Sequence, residues 1–188
     1  MSQNVSTKLD RGLTPQQFID AMTKNQETFL NWRDQFEWKD SGDRAFFQTL
    51  RSRDDLRCLI IAADWCGDVV RNVPVVLNVL KEAGIRTEMY IMEEHLEFID
   101  QFLTMGGRSI PVVLLTNAAG DVLAQWGPRP RHVQAAMIQF KQQNTDRSAP
   151  DYGDNLKEAR AEMARQYGEG TDYQSVIVKE LREVLTAL

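Results

Sequence analysis

The sequence predicts an α/β fold: a central mixed β-sheet flanked by helices, with helical extensions on its N-terminal and C-terminal sides. Three observations carry this. Cys58-Leu59-Ile60-Ile61-Ala62-Ala63 is a continuous apolar run of strand length, as a strand covered on both faces requires. Strand-like and helix-like patterns alternate from about residue 57 to 105, which implies a β-α-β-α unit with parallel pairing and a right-handed crossover. Two further strand-like segments, 112–116 and 121–126, are joined only by Asn117-Ala118-Ala119-Gly120, so they are expected to pair as an antiparallel hairpin.

Taken in order, Leu13-Thr14-Pro15 reads as a helix start, with Thr14 as N-cap and Pro15 at the first helical position. Phe18, Met22, Phe29, Trp32 and Phe36 then recur at helical spacing, as one amphipathic helix or a broken pair ending near Asp40-Ser41-Gly42. Phe46, Phe47 and Leu50 form a second short apolar cluster, and these aromatics read as a packing face. The strand over 57–63 leads through Asp64-Trp65-Cys66-Gly67-Asp68 into a helical stripe of Val69, Val73, Val76, Leu77 and Leu80. Pro74 sits inside that stripe, where loss of one hydrogen bond is expected to kink the helix; Gly84 ends it. Thr87 to Met92 reads as a strand and Glu93 to Met105 as a helix closed by Gly106-Gly107. Gly127-Pro128-Arg129-Pro130 breaks the chain before a helix carrying Val133, Met137 and Phe140. After a polar linker over 142–151, Tyr152, Leu156, Ala159, Met163 and Tyr167 mark one helix face. Tyr173, Ile177, Leu181 and Leu185 mark another, with Gly168-Glu169-Gly170 between them. The expected organisation is an N-terminal extension over 1–52, a central domain over 53–142 and a C-terminal extension over 143–188 packed on the same domain.

The chain has 188 residues, 22 Lys+Arg and 27 Asp+Glu, a formal charge of −5. With no excess of positive charge to hold a phosphate backbone, a nucleic-acid binder is not expected. The apolar stretches fall short of the ~18–20 residues a membrane span needs, and Met1 to Thr14 lacks the apolar core of a signal peptide, so the expectation is a cytoplasmic protein away from membranes. Two cysteines, Cys58 and Cys66, make no disulfide framework. If the interval between them is extended, their Cα atoms stand about 20–25 Å apart, whereas a disulfide needs less than about 7 Å. Any redox chemistry then uses one thiol at a time, and Cys58 is expected to be buried in its strand.

Cys66 is the candidate nucleophile. A cysteine between a strand and the first turn of a helix meets unpaired backbone N–H groups and the positive end of the helix dipole, both of which favour the thiolate. Arg108, Arg129 and Arg131 lie in loops expected at the same end of the sheet and would favour it further; Asp64 and Asp68 push the other way, and the sequence leaves the sum open. His95 and His132, the only histidines, show no metal-ligand spacing.

These residues also carry a resemblance. Ala63-Asp64-Trp65-Cys66-Gly67 resembles the active-site turn of the thioredoxin family. Pro74, eight residues after the Cys, resembles that family's helix-kinking proline, and Ser109-Ile110-Pro111 its cis-proline segment. Gly127 is similar to the family's glycine before the last helix. The strings Trp-Cys-Gly-Asp at 65–68, Gly-Gly-Arg-Ser-Ile-Pro at 106–111 and Trp-Gly-Pro-Arg at 126–129 resemble a bacterial thioredoxin-like branch with longer chains. The resemblance implies a thioredoxin-like fold with Pro111 in the cis form beside Cys66. It also implies a groove formed by Trp65, Gly67, Asp68, Ile110, Arg108 and Arg129, in which the backbone at Ile110 pairs with an extended partner segment.

The departures restrict the chemistry. The position of the second, resolving cysteine is held by Val69, and that of the family's buried acid, six residues before Cys66, by Ile60. The dithiol cycle is therefore excluded; what remains is monothiol thiol–disulfide exchange through a mixed disulfide that an outside thiol resolves. Expected partners are protein disulfides or low-molecular-weight thiols such as glutathione or bacillithiol, with no bound cofactor required. The alternative is a redox-inactive binding module that uses the same groove to hold a protein or peptide. Homodimerisation through the amphipathic C-terminal helices is compatible with either.

Overall fold

A computed structural model describes residues 3–188. Its centre is a four-stranded sheet in the order β2-β1-β3-β4, built from β1 (Arg57–Ala62), β2 (Arg86–Ile91), β3 (Val112–Thr116) and β4 (Val122–Trp126). β1 pairs parallel with β2 and antiparallel with β3, and β3 pairs antiparallel with β4, so the sheet is mixed and the hairpin forms as expected. β1 lies in the middle: Cys58 through Ala62 are fully buried, and Ile60 faces Met89 on one side and Val113 on the other. The isoleucine at the position of the absent acid is thus a core residue with apolar neighbours across both ladders.

Between β1 and β2 runs α4 (Gly67–Ala83), uninterrupted through Pro74 and ended by Gly84 at φ +69°. Its face of Val69, Val73, Val76 and Leu80 is buried, the stripe read from the sequence. The helical extensions pack onto this helix from outside. α2 (Gln26–Asp34), α3 (Ser41–Thr49) and α8 (Asp172–Thr186) all contact α4, while α6 (Arg131–Gln143) pairs with α7 (Tyr152–Tyr167). The Arg71 guanidinium on α4 sits over Trp32 of α2, Tyr167 of α7 and Tyr173 of α8, at 4.9, 5.1 and 5.6 Å from the ring centroids. One cation thereby fastens three added elements to the central helix.

The N-terminal part follows the sequence at its start and then departs from it. α1 (Pro15–Ala21) opens with the Thr14 cap, which forms a full capping box with Gln17. The helix does not run on to residue 40. It breaks at Met22, and Asn25 takes a left-handed φ of +57° because the Thr23 and Lys24 amides are drawn out to the Asp64 carboxylate. α2 ends at Asp34, and Asp40 begins α3 as its N-cap rather than ending the preceding helix. Asp-Ser-Gly reads equally well as a stop and as a cap.

The helix expected over 93–105 is a larger correction. Only α5 (Leu96–Ile99) is α-helical, preceded by a 3-10 turn over Met92–Glu94. Beyond it Thr104 and Gly107 exchange both backbone hydrogen bonds across Met105 and Gly106, which have φ values of +52° and +72°. Two successive positive φ values form a tight primed turn and cannot continue a helix. Phe98, Ile99 and Phe102 still reach the core, so the apolar spacing that suggested a helix is satisfied by one helical turn and a bend.

An arm ahead of α1 closes the sheet at both margins. Leu13 pairs with Met89 of β2, and the Val5 amide donates to Gly120 in the β3–β4 turn. The Glu88 carboxylate, 5% exposed, accepts the backbone N–H groups of Asp10, Arg11 and Gly12 at 2.9–3.0 Å.

Candidate functional site

The chain leaves β1 at Ala62, turns through Ala63, Asp64 and Trp65, and enters α4 with Cys66 as N-cap. The Cys66 backbone is extended (φ −84°, ψ 120°), its amide donates to Ala63, and its carbonyl accepts the first helical bond from Val70. Its side chain therefore faces the open first turn, where the Val69 and Asp68 N–H groups favour the thiolate without capping the helix through the sulfur. Cys66 is partly buried, while Cys58 is fully buried; both are free thiols. Burial alone pushes the Cys58 thiol far up.

Directly across from Cys66 is the segment before β3. The Ile110–Pro111 peptide bond is cis, and the Ile110 carbonyl accepts a hydrogen bond from Cys66 Sγ at 3.5 Å. Gly127, where β4 ends, has φ +109° and packs so tightly under this segment that a Cβ on it would lie 2.3 Å from the Pro111 carbonyl oxygen. The next bond, Gly127–Pro128, is also cis, a feature the sequence reading did not contain. On the open side, nothing stands within 4 Å of where a Cβ of Gly67 would be, which leaves an approach to the thiol.

The balance of charges that the sequence left open is resolved toward the neutral thiol. Burial pushes the Cys66 thiol above its ordinary value and the Asp68 charge adds to this; the Val69 and Asp68 amides and the Arg129 charge pull the other way without winning. Of the three arginines, Arg129 is the one joined to the Cys66 turn. Its guanidinium donates to Asp68 Oδ2 from Nη2 at 2.5 Å and Nε at 3.0 Å, and its side chain is 9% exposed. Burial disfavours its charge, yet the Asp68 partner outweighs that and holds its pKa high. Arg108 forms an exposed two-bond pair with Asp100 at 2.6 and 2.8 Å, and Arg131 is engaged by Glu180 and Glu183 of α8.

The two acids flanking the cysteine have different tasks. Asp64 Oδ2 accepts from the Thr23 and Lys24 amides at 2.8 and 2.9 Å and from the Thr23 hydroxyl at 3.1 Å. Burial opposes the charge of Asp64, but these donors outweigh it and hold the carboxyl below its ordinary value. Asp64 thus pins the active-site-like turn to the N-terminal extension. Asp68 faces Arg129 and α7: Oδ1 accepts from the Tyr167 hydroxyl at 2.8 Å, and that oxygen in turn accepts from Asn72 Nδ2 at 2.7 Å. Trp65 is half exposed, donates from Nε1 to Glu93 at 2.5 Å, and walls a crevice of about 130 Å³ with Phe18, Ala21, Met22, Ala63 and Ile91.

Sequence reasoning did not single out Asn72, Tyr167, Glu93, or the Thr23–Asn25 segment. Only Asn72 left a readable signal, as a polar residue three positions after Val69 on the buried face of an apolar helix. Tyr167 reads as the last apolar residue of a helix face, and nothing local reveals that its hydroxyl travels 99 positions back to Asp68.

A thioredoxin family model matches residues 12–144 of the chain. Among solved structures, a Pseudomonas aeruginosa protein of unknown function is similar over 98% of each chain, with a TM-score of 0.69 and 16% identity. An HIV epitope-scaffold protein is similar over 99% of each chain, with a TM-score of 0.66 and 15% identity. At these identities the likeness is one of fold, and it includes the helical flanks. No curated protein matches the chain.

Proposed function

The chain belongs to the thioredoxin family, and on that premise we propose that it carries out monothiol thiol–disulfide exchange through Cys66. The observation that supports this reading is the seat of the thiol: at the N-cap of α4, partly open to solvent, with first-turn amides on one side and the Ile110 carbonyl on the other. A substrate disulfide R–S–S–R′ enters past Gly67 with its chain laid along Ile110. The Cys66 thiolate attacks one sulfur, forming Cys66–S–S–R and expelling R′S⁻, which takes up the proton that Cys66 gave to solvent. With the buried Val69 where a second thiol would stand, release needs an external thiol, glutathione or bacillithiol in class, that attacks the mixed disulfide and restores Cys66. The cytoplasm, where such thiols are abundant, is the compartment that suits this cycle.

Because the resting thiol is held neutral, exchange is slow at neutral pH and accelerates through and beyond the ordinary thiol range of about 8.5. The test is incubation of a Cys58→Ser protein with glutathione disulfide over a pH series, followed by intact mass measurement. One glutathione per chain, bound at Cys66 and removed by dithiothreitol, is expected, and none on a Cys58→Ser/Cys66→Ser protein. Absence of any adduct on the folded chain across the series, while the urea-unfolded chain is modified, overturns the reading.

A second reading, a redox-inactive module that binds a protein or peptide in the same groove, is favoured by the same upward displacement of the thiol. It requires that Cys66→Ser keep partner binding, whereas the exchange reading requires that this variant lose the covalent adduct.

A further inference from the structure

We propose that Tyr167, at the end of α7 in the C-terminal extension, is a positioning residue for Cys66 that acts through the Asp68 carboxylate. The inference rests on Cys66 being the working thiol of the proposed exchange. Two groups converge on Asp68, which lies two residues beyond the cysteine in the first turn of α4. The Arg129 guanidinium takes Oδ2 and the Tyr167 hydroxyl takes Oδ1. Behind Tyr167, Asn72 donates from Nδ2 both to the phenol oxygen and to the Pro128 carbonyl at 3.0 Å. The hydroxyl thus accepts from Asn72 and donates to Asp68, a directed chain in which each donor polarises the next. Asn72 is fully buried and Tyr167 is 7% exposed, so this chain works with little competition from water.

The ring and the hydroxyl of Tyr167 do separate things. The ring packs edge-on against Tyr173 at 5.3 Å and under Arg71, contacts that hold the end of α7 against α4. The hydroxyl is not needed for that packing; its partners are Asp68 and Asn72. Burial and the Asp68 charge push its pKa far up, so it remains a proton donor throughout the titration of the thiol. Donation to Oδ1 draws charge off the carboxylate and fixes its orientation, which limits how strongly Asp68 opposes a thiolate at Cys66.

The groups facing the thiol are Asp68 and the first-turn amides on α4, Arg129 from the segment before α6, and the Ile110 carbonyl before β3. Asp64 and Glu93 near the same turn are turned to Thr23 and Lys24 and to Trp65 respectively. Tyr167 is therefore the one group of the C-terminal extension that the network connects to the cysteine.

The experiment follows the rate of Cys66 alkylation by iodoacetamide against pH in a Cys58→Ser background, a readout independent of disulfide exchange. Tyr167→Phe is expected to raise the midpoint by roughly half a pH unit, because Asp68 regains the charge the hydroxyl dispersed. Asp68→Asn is expected to lower it by about one unit, since a nearby like charge displaces a pKa by that order. In the Asp68→Asn background, Tyr167→Phe is expected to shift nothing further. A Tyr167→Phe profile that superimposes on the parent overturns the proposal, as does an equal shift in the presence and absence of the Asp68 charge. If Tyr167→Phe does not fold, Asn72→Ala, which removes the donor behind the hydroxyl, must raise the midpoint in the same direction or the proposal falls. Glutathionylation of Cys66 with an unshifted Tyr167→Phe profile refutes this inference alone; a shifted profile with no glutathionylation refutes the exchange reading alone.

Discussion

Gly127 offers the most direct test of how the candidate site is held together, through the substitution Gly127→Ala. Two costs add at this position. The φ of +109° is a conformation that L side chains rarely adopt, and holding a residue in such a region costs on the order of 1–3 kcal/mol. The new Cβ would also stand 2.3 Å from the Pro111 carbonyl oxygen and 3.3 Å from its carbon, with Val112 Cα at 3.9 Å. All of these are backbone atoms, so no side chain can swing aside; the end of β4 must move away from the start of β3. Overpacking of this kind costs a further ~1–3 kcal/mol, giving about 2–6 kcal/mol in all, out of a total stability of roughly 5–15. Gly106→Ala supplies the control. Its φ is +72°, but nothing lies within 4 Å of its Cβ position, so it carries the conformational part alone, about 1 kcal/mol. Urea unfolding followed by circular dichroism measures both. A Gly127→Ala loss no larger than that of Gly106→Ala would refute the reasoning, because the steric term against Pro111 would then be absent.

Three further outcomes are expected. Cys58 is held as the neutral thiol by burial, so its folded pKa lies above the unfolded value of about 8.5; its contribution is fully present below that value and is lost as pH rises beyond it. Unfolding free energy should therefore fall with pH on the alkaline side, and Cys58→Ala should flatten that slope; an unchanged slope refutes the assignment. Glu88→Gln places an NH₂ donor against the amides of Asp10, Arg11 and Gly12 and should cost about 2 kcal/mol or more. Hydrogen exchange should then accelerate at those amides while β3 stays protected, and uniform exchange would count against it. Val69→Cys, in a Cys58→Ser background, restores a second thiol three residues after Cys66 and should give an internal disulfide on mild oxidation. Two titratable thiols persisting in the oxidised folded chain would show that the first turn is not shaped for a dithiol.

What the sequence disclosed and what it withheld divide along a physical line. The apolar run of β1, the stripe of α4 and the short turn of the hairpin are local patterns whose burial follows from periodicity, and each forms within a residue or two of expectation. Local pattern failed where two structures satisfy it equally. Phe98, Ile99 and Phe102 fit a helix, but the positive φ values at Met105 and Gly106 made a tight turn instead. The aromatic series from Phe18 to Phe36 fits one helix, but Asp64, 40 or 41 residues away, removes the Thr23 and Lys24 amides from it. At the site, Cys66 and its neighbours were legible because a strand, a turn and a helix start are contiguous in sequence. The pairing of Asp68 with Arg129 and Tyr167 was not, since it joins residues 61 and 99 positions apart.

The elements outside the sheet are joined to it, to α4 and to one another by a recurring device. Glu88 on β2 takes three amides of the N-terminal arm, and Asp64 takes two amides and a hydroxyl from the α1–α2 junction. Asp68 takes Tyr167 of α7, Glu180 of α8 takes Trp126 Nε1 and the Arg131 amide, and Asp43 of α3 takes Arg182 of α8. Each is a buried or partly buried carboxylate met by directed donors, the condition under which burying such a group is tolerated. Apolar packing would hold these helices with less directional control; a carboxylate with two or three donors fixes one register. Two of the five, Asp64 and Asp68, flank Cys66 itself. The helical flanks are consequently fastened to both sides of the cysteine turn, α1–α2 through Asp64 and α7 through Asp68.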